Sequence, residues 1–193
     1  VAGVLAAGLL LRPGEQPAVD NALVESAYPL VAGQVQNFLL DPNPKHAPEI
    51  AFVDADRAAL TLEDFHGQWV LLNLWATWCG PCKREMPSLD RLQAALGGEG
   101  FLVLALSQDR TGMDDVQAFY EEFEITRLAL FLDDTAKSQF QFGLTGLPAT
   151  MLLDPNGYVV GRMPGPAEWD SPEALALFRH FMAGTEVAGR PAG

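Results

Sequence analysis

The sequence predicts an α/β fold: a central mixed β-sheet flanked by helices, with an N-terminal hairpin and a helical N-terminal arm. Three observations predict it. From about residue 49 onward, short apolar runs alternate with stretches of helical period. Two of those runs, Trp69 to Trp75 and Phe101 to Leu106, are almost free of polar residues, as in strands covered on both faces. The chain then closes with a hairpin signature and a final helix.

In chain order, residues 19–40 can form a helix. Ala22, Leu23, Ser26, Ala27, Leu30 and Val31 would share one side, and Pro29 would set a kink or a start. Asp41-Pro-Asn-Pro-Lys-His-Ala-Pro48 holds three prolines in eight residues and reads as a linker. Ile50 to Val53 and Ala58 to Leu60 flank a polar turn and suggest a hairpin. Thr61-Leu-Glu-Asp64 has the form of a capping box opening one helical turn. A helix is expected from Gly80 to about Leu96, ended by Gly97-Gly98. Asp114 to Phe123 should be helical, because Val116, Phe119, Tyr120 and Phe123 recur at i, i+3, i+4 and i+7. Leu128 to Leu132 reads as a third strand and Thr135 to Phe142 as a short helix. Met151 to Leu153 and Tyr158 to Val160 flank Asp154-Pro-Asn-Gly157, a turn signature. Ser171-Pro172-Glu173 places an N-cap before a proline, opening a last helix to about Met182.

The formal charge is −13, from 25 acidic against 12 basic residues. Phosphate binding needs clustered Lys and Arg, so nucleic acid is excluded as a main partner, and so is docking on anionic lipid by charge. Hydrophobic residues make up 49% of the chain, enough for a packed core. Two cysteines exclude a disulfide-dense scaffold. Residues 1–11 are all apolar or Gly, and the chain does not begin with Met. Eleven residues are too few for a membrane span, so the stretch reads as the remnant of an anchor. Its flank carries one base, Arg12, then Glu15, Asp20 and Glu25, as the non-cytoplasmic side of a membrane prefers. The expected organisation is therefore an anchor remnant (1–11), a helical arm and linker (12–47), the catalytic domain (48–183) and a loose tail (184–193).

Both cysteines lie in Trp78-Cys79-Gly80-Pro81-Cys82, between a buried strand and a helix. Cys79 falls at the N-cap, where unpaired backbone N–H groups and the positive end of the helix dipole stabilise a thiolate. It is the expected nucleophile. Cys82, three residues on, shares its helix face. Cβ atoms at that spacing lie about 5–6 Å apart. A disulfide wants about 3.5–4.5 Å, so slight tightening closes the bond. Pro81 fits the first turn, where its missing N–H costs nothing. Three blander readings compete. Isolated thiols at this spacing would be coincidence. Half a zinc site lacks partners, since the histidines are the scattered His46, His66 and His180. A static disulfide closing so short a loop would constrain the unfolded chain little. No metal or cofactor is expected beyond the redox-active pair, and His46 and His66 lack the cysteine spacing of a copper site.

Trp-Cys-Gly-Pro-Cys is also the active-site motif of the thioredoxin fold, and Leu72-Asn-Leu-Trp-Ala-Thr-Trp-Cys-Gly-Pro-Cys-Lys-Arg-Glu-Met-Pro87 resembles its TlpA, ResA and CcmG branch. Gly165-Pro-Ala-Glu-Trp-Asp-Ser171 is similar to the TlpA members. The resemblance covers residues 48 to 183 and implies a thioredoxin-like fold. It implies an N-terminally anchored thiol-disulfide oxidoreductase on the periplasmic side of the bacterial inner membrane, assisting cytochrome maturation. Its partners would be disulfide-bearing clients, among them components of the cytochrome oxidase copper-assembly route, and a membrane electron donor.

The resemblance also makes Pro148, in Gly146-Leu-Pro-Ala-Thr150, a cis-proline facing the disulfide, with Leu147 turned outward to pair with extended substrate. Trp78, Gly80 and Pro81 complete the docking surface. Glu85 has two readings: a solvated helix charge, or an acid that raises thiol pKa values and carries a proton to the leaving thiolate. The second is its role in ResA-like proteins. Asn73 stands where thioredoxins carry a buried Asp, and it cannot titrate, which passes any such role to Glu85. Trp75 is expected in the core, and Lys83 and Arg84 on a solvated face. The favoured reading is a disulfide reductant, toward which the Gly80-Pro81 pair leans. Rivals are a disulfide oxidant or isomerase, and a non-enzymatic chaperone or copper-handling module.

Overall fold

The computed structural model describes residues 16–98 and 100–189; the apolar segment 1–11 and residues 190–193 lie outside the described residues. Asp20 accepts from Leu23 N at 2.8 Å and so caps a helix, α1, over Asn21–Ala27. The expected long helix over 19–40 is not formed. Pro29 and Gly33 (φ 53°) break it into 3₁₀ turns at Tyr28–Leu30 and Gly33–Val35. Ala22 and Ser26 of the anticipated apolar side are exposed, while Val24 and Ala27 are buried.

The expected linker is a strand, β1 (Leu39–His46). It pairs antiparallel with β8 (Tyr158–Pro164), and its register shifts between Leu40 and Lys45. Pro42 and Pro44 fall inside that shift and on a sheet edge, where a residue without an N–H is tolerated. Residues 16–47 are accordingly no separate arm: Val24, Ala27, Val35 and Phe38 join the same apolar cluster as Trp69 and Phe181.

The hairpin forms as read, from β2 (Ala51–Asp54) and β3 (Ala59–Thr61). The capping box follows it, with Thr61 N donating to Asp64 Oδ2 at 2.7 Å. Then come β4 (Trp69–Trp75), α2 (Gly80–Leu96), β5 (Phe101–Ser107), α3 (Met113–Glu122), β6 (Phe131–Leu132), α4 (Lys137–Gln141), β7 (Ala149–Leu153), β8, and α5 (Pro172–Gly189). The helix α5 runs past Met182 through residues 184–189, which the sequence reads as tail. One mixed sheet holds the eight strands of the described residues in the order β1-β8-β7-β4-β5-β6-β2-β3. The parallel neighbours β4 and β5 are linked by α2, and β7 lies antiparallel on the other side of β4.

Alternation along β4 separates two cores. Trp69, Leu71 and Trp75 face one cluster with α2 and α5 side chains such as Met86, Leu89 and Phe178. Val70, Leu72 and Leu74 face another, covered by Ile50, Phe52 and Phe142. Asn73 keeps the odd-numbered register and is fully buried on the α2 side.

The third strand is shorter than expected. Asp90 of α2 takes the backbone N–H groups of Thr126, Arg127 and Leu128 on one oxygen, at 3.0, 2.6 and 3.0 Å, so this stretch is tied to the helix rather than to a ladder. Asp90→Ala should lower stability by about 1–3 kcal/mol in chemical denaturation, and Asp90→Asn should restore part of it. An unchanged midpoint in Asp90→Ala would show the tether to be idle.

Candidate active site

The strand β4 ends at Trp75 and the chain turns through residues 76–78 into α2. That turn is pinned from below. Thr77 donates its backbone N–H and its hydroxyl to the Asp109 carboxylate at 2.9 and 2.7 Å, and Ser107 Oγ donates to the same carboxylate at 2.7 Å. Cys79 is the N-cap of α2 in extended conformation, and its sulfur accepts from Cys82 N at 3.3 Å. Cys79 and Cys82 form a disulfide with their Cα atoms 5.2 Å apart. Pro81 sits in the first turn, which holds no acidic residue; Lys83 and Arg84 follow it.

Cys82 is 0% exposed and Cys79 6%, so of the two only Cys79 reaches the surface. Beside it Trp78 is 70% exposed, and it lines a cleft of about 300 Å³ with Arg110, Ala136 and Phe140. Gly80 is exposed and Pro81 half-buried. The Leu147–Pro148 peptide is cis. The β4–β7 register pairs Leu74 with Ala149, which sets Pro148 at the end of β4 from which the chain turns toward Cys79. Pro148 is buried and its carbonyl accepts from Gly165 N at 2.9 Å; Leu147 is half-buried.

Glu85 is no solvated helix charge: it is 2% exposed. Asn73 Nδ2 donates to its Oε1 at 2.8 Å, and Trp169 Nε1 and Ala167 N donate to its Oε2 at 2.9 and 3.1 Å. Burial pushes the carboxyl up to about 7, against the opposing pull of those donors. A buried acid titrating near neutrality, one helical turn beyond a dithiol, can take up and release a proton at working pH.

Sequence reasoning missed Asp109 and Trp169. Asp109 lies 32 residues from the threonine it holds, and Trp169 84 residues from Glu85. The available signals were a polar Ser107-Gln-Asp109 ending an apolar strand and, for Trp169, its place in the family-like segment Gly165–Ser171, neither of which points to the partner held. The histidines His46 and His66 meet at the other end of β8, with ring centroids 6.2 Å apart, beside the β7–β8 turn.

The chain matches the AhpC/TSA family model over residues 44–162. It is 31% identical over 121 residues to the thiol-disulfide oxidoreductase ResA of Bacillus thuringiensis subsp. konkukian (strain 97-27), covering 63% of this chain and 69% of the relative. Among solved structures it resembles a candidate DsbE, a thiol:disulfide interchange protein, from Chlorobium tepidum, with 28% identity and a TM-score of 0.62, covering 76% of this chain and 99% of that one. It also resembles a thiol:disulfide interchange protein from Bacteroides sp., with 26% identity and a TM-score of 0.61, covering 76% of this chain and 94% of that one. These likenesses establish the thioredoxin-like fold.

Proposed function

We propose that this chain, which belongs to the AhpC/TSA family and is a thiol-disulfide oxidoreductase of the ResA/DsbE type, works as a reductant of disulfides in client proteins. The observation that carries the reading is the asymmetry of the pair: one cysteine at a helix N-cap with surface access, the other buried one turn behind it. In the reduced protein the Cys79 thiolate attacks a client disulfide. One S–S bond forms as another breaks, and the departing client thiolate takes a proton. Cys82 then loses its proton and attacks Cys79. This releases the second client thiol and leaves the Cys79–Cys82 disulfide, two electrons having passed to the client. Glu85 is the group suited to receiving and supplying the protons, because its carboxyl titrates near neutrality. The client segment docks against Trp78, Gly80 and Pro81 and pairs with the backbone at Leu147, beside Pro148.

The compartment follows from the motif resemblance and the acidic flank of the apolar N-terminus: the periplasmic face of the inner membrane, held by an N-terminal anchor. Among the described residues no helix is long and apolar enough to cross a membrane. The clients are disulfide-bearing proteins of cytochrome oxidase biogenesis, copper-assembly components among them, and a membrane donor returns the pair to the dithiol. Trapping tests this. Cys82→Ser, produced in the native compartment, should accumulate Cys79-linked mixed disulfides that contain copper-assembly or cytochrome-maturation proteins. Trapped partners drawn only from other processes would overturn the client assignment.

A further inference from the structure

Glu85 is held by three donors. Asn73 Nδ2 reaches Oε1, while Trp169 Nε1 and Ala167 N reach Oε2. That shell suits a carboxylate. A neutral carboxyl carries a proton of its own, which needs an acceptor. An indole N–H and a backbone N–H can only donate, so a proton on Oε2 would face two donors. On Oε1 it faces the Asn73 amide alone, and the other end of that amide is an acceptor. That end, Oδ1, is buried and has no partner among the described residues. The same Nδ2 also donates to Thr150 Oγ1 at 2.9 Å, and a hydroxyl can accept or donate as its proton rotates.

We infer that Asn73 is a two-position amide that follows the charge on Glu85, donating through Nδ2 to the carboxylate and to Thr150 Oγ1 when Glu85 is ionised, and turning to accept through Oδ1 from the carboxyl O–H and the Thr150 O–H when Glu85 is neutral. The inference rests on the reading of Glu85 as the acid serving the thiols. Oδ1 and Nδ2 exchange places, so one end of the amide occupies the unpartnered slot in either position. With Nδ2 in the slot two N–H groups go unpartnered in place of one carbonyl oxygen, so the second position is taken only when the carboxyl proton demands an acceptor. The charged groups around Glu85 are Arg84 of its own helix and Glu168 of the loop before α5, which line a cavity of about 210 Å³ with it and the neutral Gln34. On α2 the dithiol lies one turn back. The strands β4 and β7 offer only the neutral Asn73 and Thr150, which are paired across the ladder. Thr150 is two residues past Pro148, so the proton on Glu85 is registered in the strand behind the docking edge. Asn73 is thus a positioning residue, acting through Glu85.

The test uses the oxidised full chain, in which the cysteines do not titrate. The Glu85 carboxyl and the Asn73 side-chain amide are followed by NMR from pH 5 to 9, and reductase turnover is measured separately. The Asn73 amide resonances should move with the same midpoint as the Glu85 carboxyl. In Asn73→Leu that midpoint should shift by less than about half a pH unit, because a partner is removed from both states. A fixed donor would instead make the midpoint rise by about one to two units, the worth of one hydrogen bond to a charged group. Amide resonances that stay still while Glu85 titrates would overturn the inference. So would a rise of a unit or more in Asn73→Leu, or a Glu85 that does not titrate in this range. Should Asn73→Leu not fold, wild-type proton–proton contacts decide: the contact from the Asn73 Nδ2 protons to the Thr150 side chain should be present above the Glu85 midpoint and lost below it, and a contact kept throughout would overturn the inference. Loss of the reductase reading would show as absent turnover, whereas loss of the amide reading would show in the spectra of a protein that still turns over.

Discussion

Cys79→Ser should abolish reduction of protein disulfides, by on the order of a thousand-fold or more, while leaving the fold intact. A serine hydroxyl does not ionise in the working range, so the attacking anion is gone. Cys82 cannot stand in for it, because it is fully buried behind the first turn of α2. Cys82→Ser should behave differently. The first attack survives, so the protein should consume one equivalent of client disulfide and stall as a mixed disulfide. In the reduced wild type, Cys79 should be alkylated first and titrate below the free-thiol value of about 8.5, since the N-cap N–H groups favour its anion. Sustained turnover by Cys79→Ser, or prior alkylation of Cys82, would reverse the assigned roles.

Glu85→Gln should change how stability depends on pH. Burial raises the folded-state pKa of Glu85 from 4.5 to about 7, so between those values the native chain holds a proton that the unfolded chain has released. The unfolded state binds fewer protons there, and stability falls as pH rises through this window. The contribution is fully present below 4.5 and lost once pH passes about 7. A shift of that size is worth on the order of 3 kcal/mol. Measured on the oxidised protein, the glutamine variant should therefore gain stability relative to wild type by roughly that amount between pH 4.5 and pH 8, or about 6–12 °C in Tm for a chain of this size. In the reduced protein the same change should lower the thiol pKa values by removing a nearby negative charge, and slow client reduction by removing a proton source. Parallel stability curves for the two proteins would return Glu85 to a passive role.

The parts of the site written in contiguous residues were the legible ones. A strand buried on both faces, an N-cap cysteine and a proline in the first turn are local patterns, and β4 and α2 begin and end where their residues imply. What the sequence hid was either non-local or overruled by tertiary contacts. The prolines at 42 and 44 argue for a linker only until β8 offers an edge on which a strand can shift register around them. Leu128 has strand character, but its N–H is taken by Asp90 on α2. The surroundings of Glu85 come from β4, α2 and the loop at 167–169, and no spacing rule links those residues. Asn73 cannot titrate, but its amide binds the carboxylate to which that role passes, a contact no local pattern reveals.

The most direct test of the account is the midpoint potential of the Cys79–Cys82 couple, measured by equilibration with a dithiol–disulfide buffer. Thioredoxin lies near −270 mV and the oxidant DsbA near −120 mV. A protein that reduces its clients should fall on the thioredoxin side, below about −220 mV. A potential close to that of DsbA would mean that the pair gives its disulfide to clients rather than removing theirs, and would contradict the account.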